Sequence, residues 1–278
     1  MISVLILTYN EQVNLPRCLD AVSWSDDVLV LDSFSTDGTK EIALEKGARV
    51  EQRAFDHFAG QRNYGLDHGS LKHEWVLHLD ADEIVTPPLR DELLSVSGST
   101  SLNAFRLASK MMFQDRWLKF AGMYPAYQVR FGRRDRLRFK MVGHGQRETL
   151  SHDEVGTLKE PLLHFSFSKG LEDWYARHRR YAMAEAEENL SSLSDPRFSL
   201  AGLFASDATA RRRALKELSI RLPFRPASRF AYMYFLRLGF LDGVPGLRYC
   251  RMLSAYERMI VTRLKDLQAQ NQKTTSDS

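Results

Sequence analysis

The segment His78-Leu79-Asp80-Ala81-Asp82-Glu83 sets two carboxylates two residues apart, directly after a short apolar run. Beyond a buried strand, such a pair faces one bound cation. Hard divalent ions take oxygen ligands, and Mg2+ commonly joins one or two carboxylates to phosphate oxygens. A metal held this way neutralises a departing diphosphate. The plainer alternative is a pair of solvated turn carboxylates capping the next helix. Thr8-Tyr9-Asn10-Glu11 also follows an apolar run, and the Tyr9 ring is suited to stacking on a base, or the four residues form an ordinary turn. In Asp32-Ser33-Phe34-Ser35-Thr36-Asp37-Gly38-Thr39, Asp32 and Asp37 are placed to accept from a base imide or ribose hydroxyls. A helix starting there favours anions at its N-terminus, and Asp37 reads equally as its N-cap. Arg62, in Gln61-Arg62-Asn63-Tyr64-Gly65, presents a planar fork that matches phosphate or base oxygens, or else is a solvated helical arginine.

Apolar periodicity supplies the elements that position these clusters. Ile2–Leu7, Val28–Leu31, Arg49–Glu51 and Trp75–Leu79 read as strands, with helices from Asn14 to about Val22, from Asp37 to Gly47 and over residues 59–68. Strand–helix alternation predicts an α/β fold with a parallel, doubly wound sheet. Ligands of such sheets bind beyond the carboxyl ends of the strands, which lines Thr8–Glu11, Asp32–Asp37 and Asp80–Glu83 along one edge. Further strands are predicted at Asn103–Ala108, Val129–Phe131 and 161–165, with a loop over 140–148. Helices are predicted over about 168–193, 198–218, 228–240 and 246–268.

Hydrophobic residues are 44% of the 278 and charged residues 27%, which excludes a disordered or fibrous chain. Two distant cysteines, Cys18 and Cys250, exclude a disulfide scaffold and a cysteine-held zinc. No apolar run reaches membrane-spanning length, and the N-terminus reads as a strand rather than a signal peptide. Charge is uneven: residues 201–278 hold 14 Lys/Arg against 6 Asp/Glu, whereas residues 1–200 hold 25 against 29. The basic part is rich in Phe and Tyr, a pattern that fits a membrane surface, a nucleic acid, or aromatics turned to a helical core.

Taken in order, ILTYNE, VLDSFSTDGT, QRNYGL and LHLDADE closely resemble glycosyltransferase family 2, inverting nucleotide-sugar enzymes of GT-A fold, over roughly residues 1–95. LLHFSFSKGLEDW and LGFLDGVPGL are similar to a subgroup containing bacterial lipopolysaccharide core glucosyltransferases. The resemblance implies Tyr9 and Glu11 at the base and ribose, Asp32 at the base, usually uracil, and Arg62 near base or phosphates. Asp80 would lie near ribose and metal, and Asp82 would be the main ligand of Mg2+ or Mn2+. Some GT-A enzymes add a late histidine to the metal, a role that falls to His164, whose alternative is a buried histidine bonded to backbone. Inversion needs a carboxylate base. Asp135, Glu148, Asp153 and Glu154 are candidates, and Glu148 is favoured. The similar subgroup often has adjacent His and Glu, whereas here His144 and Glu148 are four apart, and Glu148 paired with Arg147 is the alternative. Trp117, Phe120, Tyr124 and Tyr127 form an acceptor wall or simply pack.

The reading is therefore a GT-A-like catalytic domain, residues 1–165, and a basic helical extension, 166–278. The donor is a nucleotide sugar, UDP-sugar favoured, and the acceptor a lipid-linked saccharide such as lipopolysaccharide core. Residues 211–265 would touch the inner face of the bacterial cytoplasmic membrane. Nucleic acid is not expected as a partner, for want of a recognised motif. Two rivals remain: a sugar-nucleotide nucleotidyltransferase, whose usual Gly-rich basic loop is missing from residues 8–20, and a non-enzymatic protein that binds membranes or nucleic acid.

Overall fold

The computed structural model describes residues 1–142, 145–193, 208–221 and 224–276, so His144 and the start of the helix expected over 198–218 lie outside the described residues. The chain forms two compact units: Met1–Trp117 with Met123–Ser168, and Leu118–Gly122 with Lys169–Ser278. Where the sequence suggested one boundary near residue 165, a five-residue piece of the first half is grouped with the helices.

In the first unit β1 (Ile2–Thr8), α1 (Leu15–Ala21), β2 (Val28–Asp32), α2 (Thr39–Glu45), β3 (Arg49–Gln52), α3 (Phe58–His68) and β4 (Trp75–Asp80) alternate as the apolar pattern requires. There follow β5 (Glu83–Ile84), α4 (Pro87–Ser99), β6 (Ala104–Phe113), β7 (Arg116–Trp117), β8 (Tyr127–Arg133), β9 (Phe139–Val142), β10 (Gly145–Glu148), β11 (Val155–Thr157) and β12 (Leu162–His164). The main sheet runs β3-β2-β1-β4-β8-β6-β12-β5, with β7 and β11 also on β6. β1 to β4 are parallel, whereas β8 is antiparallel to both β4 and β6. The sheet is thus mixed rather than purely doubly wound, because β6, β7 and β8 are joined by short connections that allow only antiparallel return.

Val4, Leu5 and Ile6 are all fully buried, so β1 is covered on both faces. Val4 and Ile6 pack with Leu15 of α1 and Leu89 and Leu93 of α4. Leu5 packs on the other face with Ala59 and Leu66 of α3. Burying each such leucine stabilises the fold by about 2 kcal/mol. A Cβ on Gly65 would come within 2.5 Å of Leu5, so only glycine lets α3 lie this close to β1. That closeness brings α3's Arg62 to the strand ends. Register sets Leu7 beside Asp80 and Thr8 beside Asp32, so the carboxyl ends of β2, β1 and β4 form one edge.

Two elements differ from the sequence reading. α4 begins at Thr86-Pro87-Pro88, a capping threonine followed by first-turn prolines, and Thr86 Oγ1 accepts from Leu89 N at 3.4 Å. Within residues 140–148, expected as loop, Lys140–Val142 and Gly145–Glu148 instead contribute most of the antiparallel pair β9–β10. Asn63 of α3 clamps it, donating to Phe139 O at 2.8 Å and accepting from Phe139 N at 3.0 Å.

The second unit holds α5 (Gly170–Leu193), α6 (Ala208–Arg221), α7 (Arg225–Ala231) and α8 (Gly243–Ser276). Ala182 and Ala186 of α5 pack on Ile260 and Leu264 of α8. The single helix expected over 228–240 is instead broken. α7 passes into a π-helical turn, Tyr232–Leu236, then Leu238 takes a left-handed φ of 59° before a 3-10 turn, Gly239–Asp242. A left-handed leucine costs about 1–2 kcal/mol. Offsetting it, the Asp242 carboxylate accepts from three successive backbone N–H groups, Lys119, Phe120 and Ala121, at 3.1, 3.0 and 2.7 Å. Gly239 faces Ala121 and Cys250 so closely that a Cβ would meet Cys250 Sγ at 3.0 Å. No helix among the described residues is long and apolar enough to cross a membrane.

Candidate active site

At the end of β2, Asp32 is fully buried and multiply bonded. Thr8 Oγ1 donates to its Oδ1 at 3.1 Å, and Ser35 N and Gln52 Nε2 donate to its Oδ2 at 3.0 Å each. The Ser35 hydroxyl also donates to Oδ1. The following turn is cross-tied to β1's exit: Asn10 N donates to Ser35 Oγ and Thr36 N to Asn10 Oδ1, both at 2.8 Å. Asn10 and Phe34 both take left-handed backbone, φ 54° and 60°. Asn tolerates that region, but a bulky aromatic there is rare, and such strain gathers at functional sites. Tyr9 and Phe34 leave more than half of their surface in water, which makes both rings available for stacking. Glu11 and Asp37 serve the same corner. Glu11 Oε2 accepts from Asn14 Nδ2 at 2.7 Å, and Asp37 Oδ1 accepts from Thr39 N at 3.1 Å, one residue ahead of α2's N-cap, Gly38.

The densest charge lies at the end of β4. Arg62 Nη2 donates to Asp80 Oδ1 at 2.7 Å, and Arg130 Nη2 to Asp80 Oδ2 and Glu83 Oε1 at 2.8 Å each. Glu83 Oε2 accepts from Asp80 N at 2.9 Å. Arg62, Arg130 and Glu83 are buried. Arg130 reaches this point by an irregularity: β6 pairs Phe105 with Phe131 and then Arg106 with Val129, so Arg130 is an extra residue in β8. A β-bulge of this kind re-aims a side chain. Burial works against the charge on Asp80, but Arg130 and Arg62 outweigh it and hold its carboxyl well below the usual range. Burial pushes Glu83 up, against the pull of Arg130. Burial and then Arg130 bring Arg62 down to about 10, still cationic at neutral pH. Neighbouring His78 is fully buried, and burial together with the two arginines keeps it neutral.

Asp82 takes a different partner. Its Oδ2 lies 3.3 Å from His164 Nε2, which also meets Ser166 Oγ at 3.1 Å. Strand β12 places His164 opposite Glu83 of β5, and Phe165 N donates to Asp82 O at 2.8 Å. Burial opposes charge on His164, but Asp82 prevails and lifts it to about 9. Asp82 and His164 would offer a divalent metal one carboxylate and one imidazole donor, the imidazole only in its unprotonated form. Both Asp80 oxygens accept from guanidinium groups, so Asp80 is not gathered with them as a third donor in this arrangement. Among the described residues no three His, Cys, Asp or Glu side chains converge as a metal cluster. Phosphate oxygens and water would complete the shell of a Mg2+ or Mn2+ ion.

The structure therefore brings Thr8, Asp32, Arg62, Asp80, Asp82 and His164 to neighbouring strand ends. It does not join Glu148 to them by any direct contact among the described residues. Glu148 ends β10, half-buried, opposite Phe139, whose ring meets His78 edge-on at 5.2 Å. Glu154 is taken up by Ser151 and by Asn103, which donates to it at 2.7 Å. Trp117 and Tyr124 touch edge to face at 5.0 Å. Arg130 is the member the sequence reading missed, and Glu83, placed on the edge within Asp80–Glu83, was given no role there. The available signal was an arginine between Val129 and Phe131, since a charge inside a central strand needs a buried partner.

A mixed α/β sheet with its polar side chains at the ends of β1, β2 and β4, helices on both faces and a C-terminal helical unit is the architecture anticipated for a nucleotide-binding transferase. Residues 3–96 match the family Glycosyl transferase family 2, which bears out the resemblance seen in the motifs. An uncharacterized glycosyltransferase of Rickettsia bellii is 32% identical over 130 residues, 46% of this chain and 37% of the relative. The aligned stretch thus spans little more than a third of that relative's length. The lipopolysaccharide core biosynthesis glycosyltransferase LpsC of Rhizobium meliloti is 22% identical over 273 residues, 92% of each chain. Among solved structures, glucosyl-3-phosphoglycerate synthase of Mycobacterium tuberculosis, with Mn2+, uridine diphosphate and glucosyl-3-phosphoglycerate, aligns over 67% of this chain and 79% of its own, at 17% identity and TM-score 0.46.

Proposed function

We propose that the protein transfers a sugar, with inversion, from a nucleoside-diphosphate sugar to a lipid-linked saccharide at the cytoplasmic face of a bacterial membrane. UDP-sugar is the favoured donor and lipopolysaccharide core or another surface glycan the acceptor, a reading supported by the family match and by the likeness to LpsC. The observation that carries it is the division of labour in Asp80-Ala81-Asp82. Asp80 is locked between Arg62 and Arg130, while Asp82 faces His164.

In this reading Asp32, rigidly held at the end of β2, accepts from the base, and Tyr9 stacks on it. Thr8 and Gln52 fix the Asp32 carboxylate, and Glu11 and Asp37 shape the pocket wall. Asp80 takes the ribose side, and the Arg62–Asp80–Arg130 lattice keeps its carboxylate ionised and oriented. Asp82 and His164 would hold a Mg2+ or Mn2+ ion, which when bound would neutralise charge on the diphosphate. The acceptor hydroxyl attacks the anomeric carbon as the bond to the diphosphate oxygen breaks, and the nucleoside diphosphate leaves with that electron pair. The acceptor proton passes to a carboxylate, assigned to Glu148, whose hairpin Asn63 ties to the helix that carries Arg62.

The test is release of nucleoside diphosphate from UDP-, GDP- and dTDP-sugars, with Mn2+ or Mg2+ and a lipid-glycan extract as acceptor. Asp82→Ala is expected to lower release from the one active donor by about 10²–10³-fold, as for loss of a transition-state charge partner. No release from any donor, with no binding of UDP, GDP or dTDP, would refute the assignment.

A further inference from the structure

The broken helix in the second unit leaves its apolar side chains in water. Phe235, Leu236, Leu238, Phe240, Leu241 and Val244 are all exposed within ten residues, Leu236 by 77%. Ring contacts and a backbone clasp brace the turn that carries them. Tyr234 stacks on Phe230 at 5.3 Å and meets Phe235 and Phe240 edge-on at 5.1 and 6.1 Å. Asp242 pins the same turn from below by its three backbone acceptor bonds. Soluble surfaces rarely group this much apolar area without an occupant.

The flanking charge says which occupant. Residues 224–256 contain five arginines and a single acidic residue, Asp242. That carboxylate is engaged by backbone N–H groups, and Arg225 pairs with Glu257 at 3.0 Å. Arg248 and Arg251 are exposed one helical turn apart on α8, and no carboxylate among the described residues forms an ion pair with them or with Arg237. A second copy docked through this face about a two-fold axis would set arginine patches together and be repelled. An anionic bilayer meets both features, taking Phe and Leu into its interface and arginines at its headgroups.

We infer that the turn Tyr232–Val244 is a membrane-docking surface for anionic phospholipid. This deepens the reading of a lipid-linked acceptor, yet it rests on residues outside the strand-end site. It also narrows the contact expected over 211–265 to a short, rigid, apolar knuckle bordered by Arg237, Arg248 and Arg251.

The experiment is flotation of the full chain with vesicles of phosphatidylcholine and phosphatidylglycerol, and with phosphatidylcholine alone. Wild type is expected to float with the anionic vesicles. Leu236→Asp combined with Val244→Asp should weaken partitioning by about tenfold or more. Arg237→Gln with Arg248→Gln should weaken it less and blunt its salt dependence. Asp82→Ala should float as wild type does, so failure of the transferase reading leaves this outcome intact. Leu236, Val244 and Arg248 are exposed and Arg237 is half-buried, and unchanged melting temperatures verify that both double variants fold. Equal flotation of wild type and Leu236→Asp/Val244→Asp overturns the inference. So does a lipid-free dimer that this variant abolishes while wild type ignores vesicles.

Discussion

At the end of β4 four charged side chains crowd together, and each meets an opposite charge: Arg62 with Asp80, Asp80 with Arg130, Arg130 with Glu83. In the turn Tyr232–Val244 the reverse holds, with apolar side chains in water, bordered by Arg237, Arg248 and Arg251, which form no ion pair with a carboxylate among the described residues. The first region buries three of its four charged side chains, Arg62, Arg130 and Glu83, and the strands, α3 and the bulge set its geometry. The second exposes grease on a turn whose backbone is pinned by one carboxylate. A polar ligand with fixed donors and acceptors needs the first arrangement. A surface that meets a fluid, heterogeneous layer needs only apolar area, cationic charge and a stiff base.

The comparison is broken most severely by removing a cation from the first region. Arg130→Met leaves Glu83 buried and Asp80 half-compensated, and is expected to destabilise the protein by about 3–5 kcal/mol in denaturant unfolding. A variant as stable as wild type would mean that water, not Arg130, balances these carboxylates. In the second region, Asp242→Ala strips three backbone N–H groups of a charged acceptor. The expected loss is about 1.5–3 kcal/mol, with faster proteolytic cleavage near residues 118–122. An unchanged digest would show that the turn is pinned by packing alone. The smallest effect sharpens the contrast within the first unit. Asp27 is buried and accepts from Ser3 Oγ at 2.5 Å, Lys72 N at 2.7 Å and Arg49 Nη2 at 2.8 Å. Burial works against its charge, but these donors hold its pKa below the usual value. A carboxyl depressed in the folded state contributes stability above its unfolded pKa and loses it as pH falls through the folded one. Asp27→Asn should therefore flatten the acid limb of the stability–pH curve below about pH 4, by about 1 kcal/mol. A limb as steep as that of wild type would assign acid unfolding to other carboxylates.

How far the sequence revealed these regions depends on how local each signal is. β1 to β4 and their helices were legible because burial on both faces writes continuous apolar runs, and Asp32, Asp80 and Asp82 follow those runs directly. Arg130 was legible only as a charge between Val129 and Phe131, because the bulge that aims it is a mismatch between two strands and leaves no mark in either strand alone. The β9–β10 hairpin was hidden for a similar reason: Lys140, Met141 and Val142 are exposed, and the hairpin is held by Asn63, 76 residues from Phe139. Residues 228–240 carried a helical apolar pattern, yet Gly239 packed against Cys250 and Ala121 overrides it. His164 stood out as a lone histidine in an apolar run, and only its pairing with Asp82 gives it chemistry.

The Asp242 clasp also imposes a schedule. The carboxylate and the N–H groups it satisfies are 121 to 123 residues apart in the chain. During synthesis, at roughly 5–20 residues per second, residues 118–122 leave the ribosome on the order of ten seconds before Asp242 exists. The β7–β8 connection must spend that interval without its acceptor, while the sheet around it is free to assemble. Completion of this piece of the first half is thus deferred until the last helix begins.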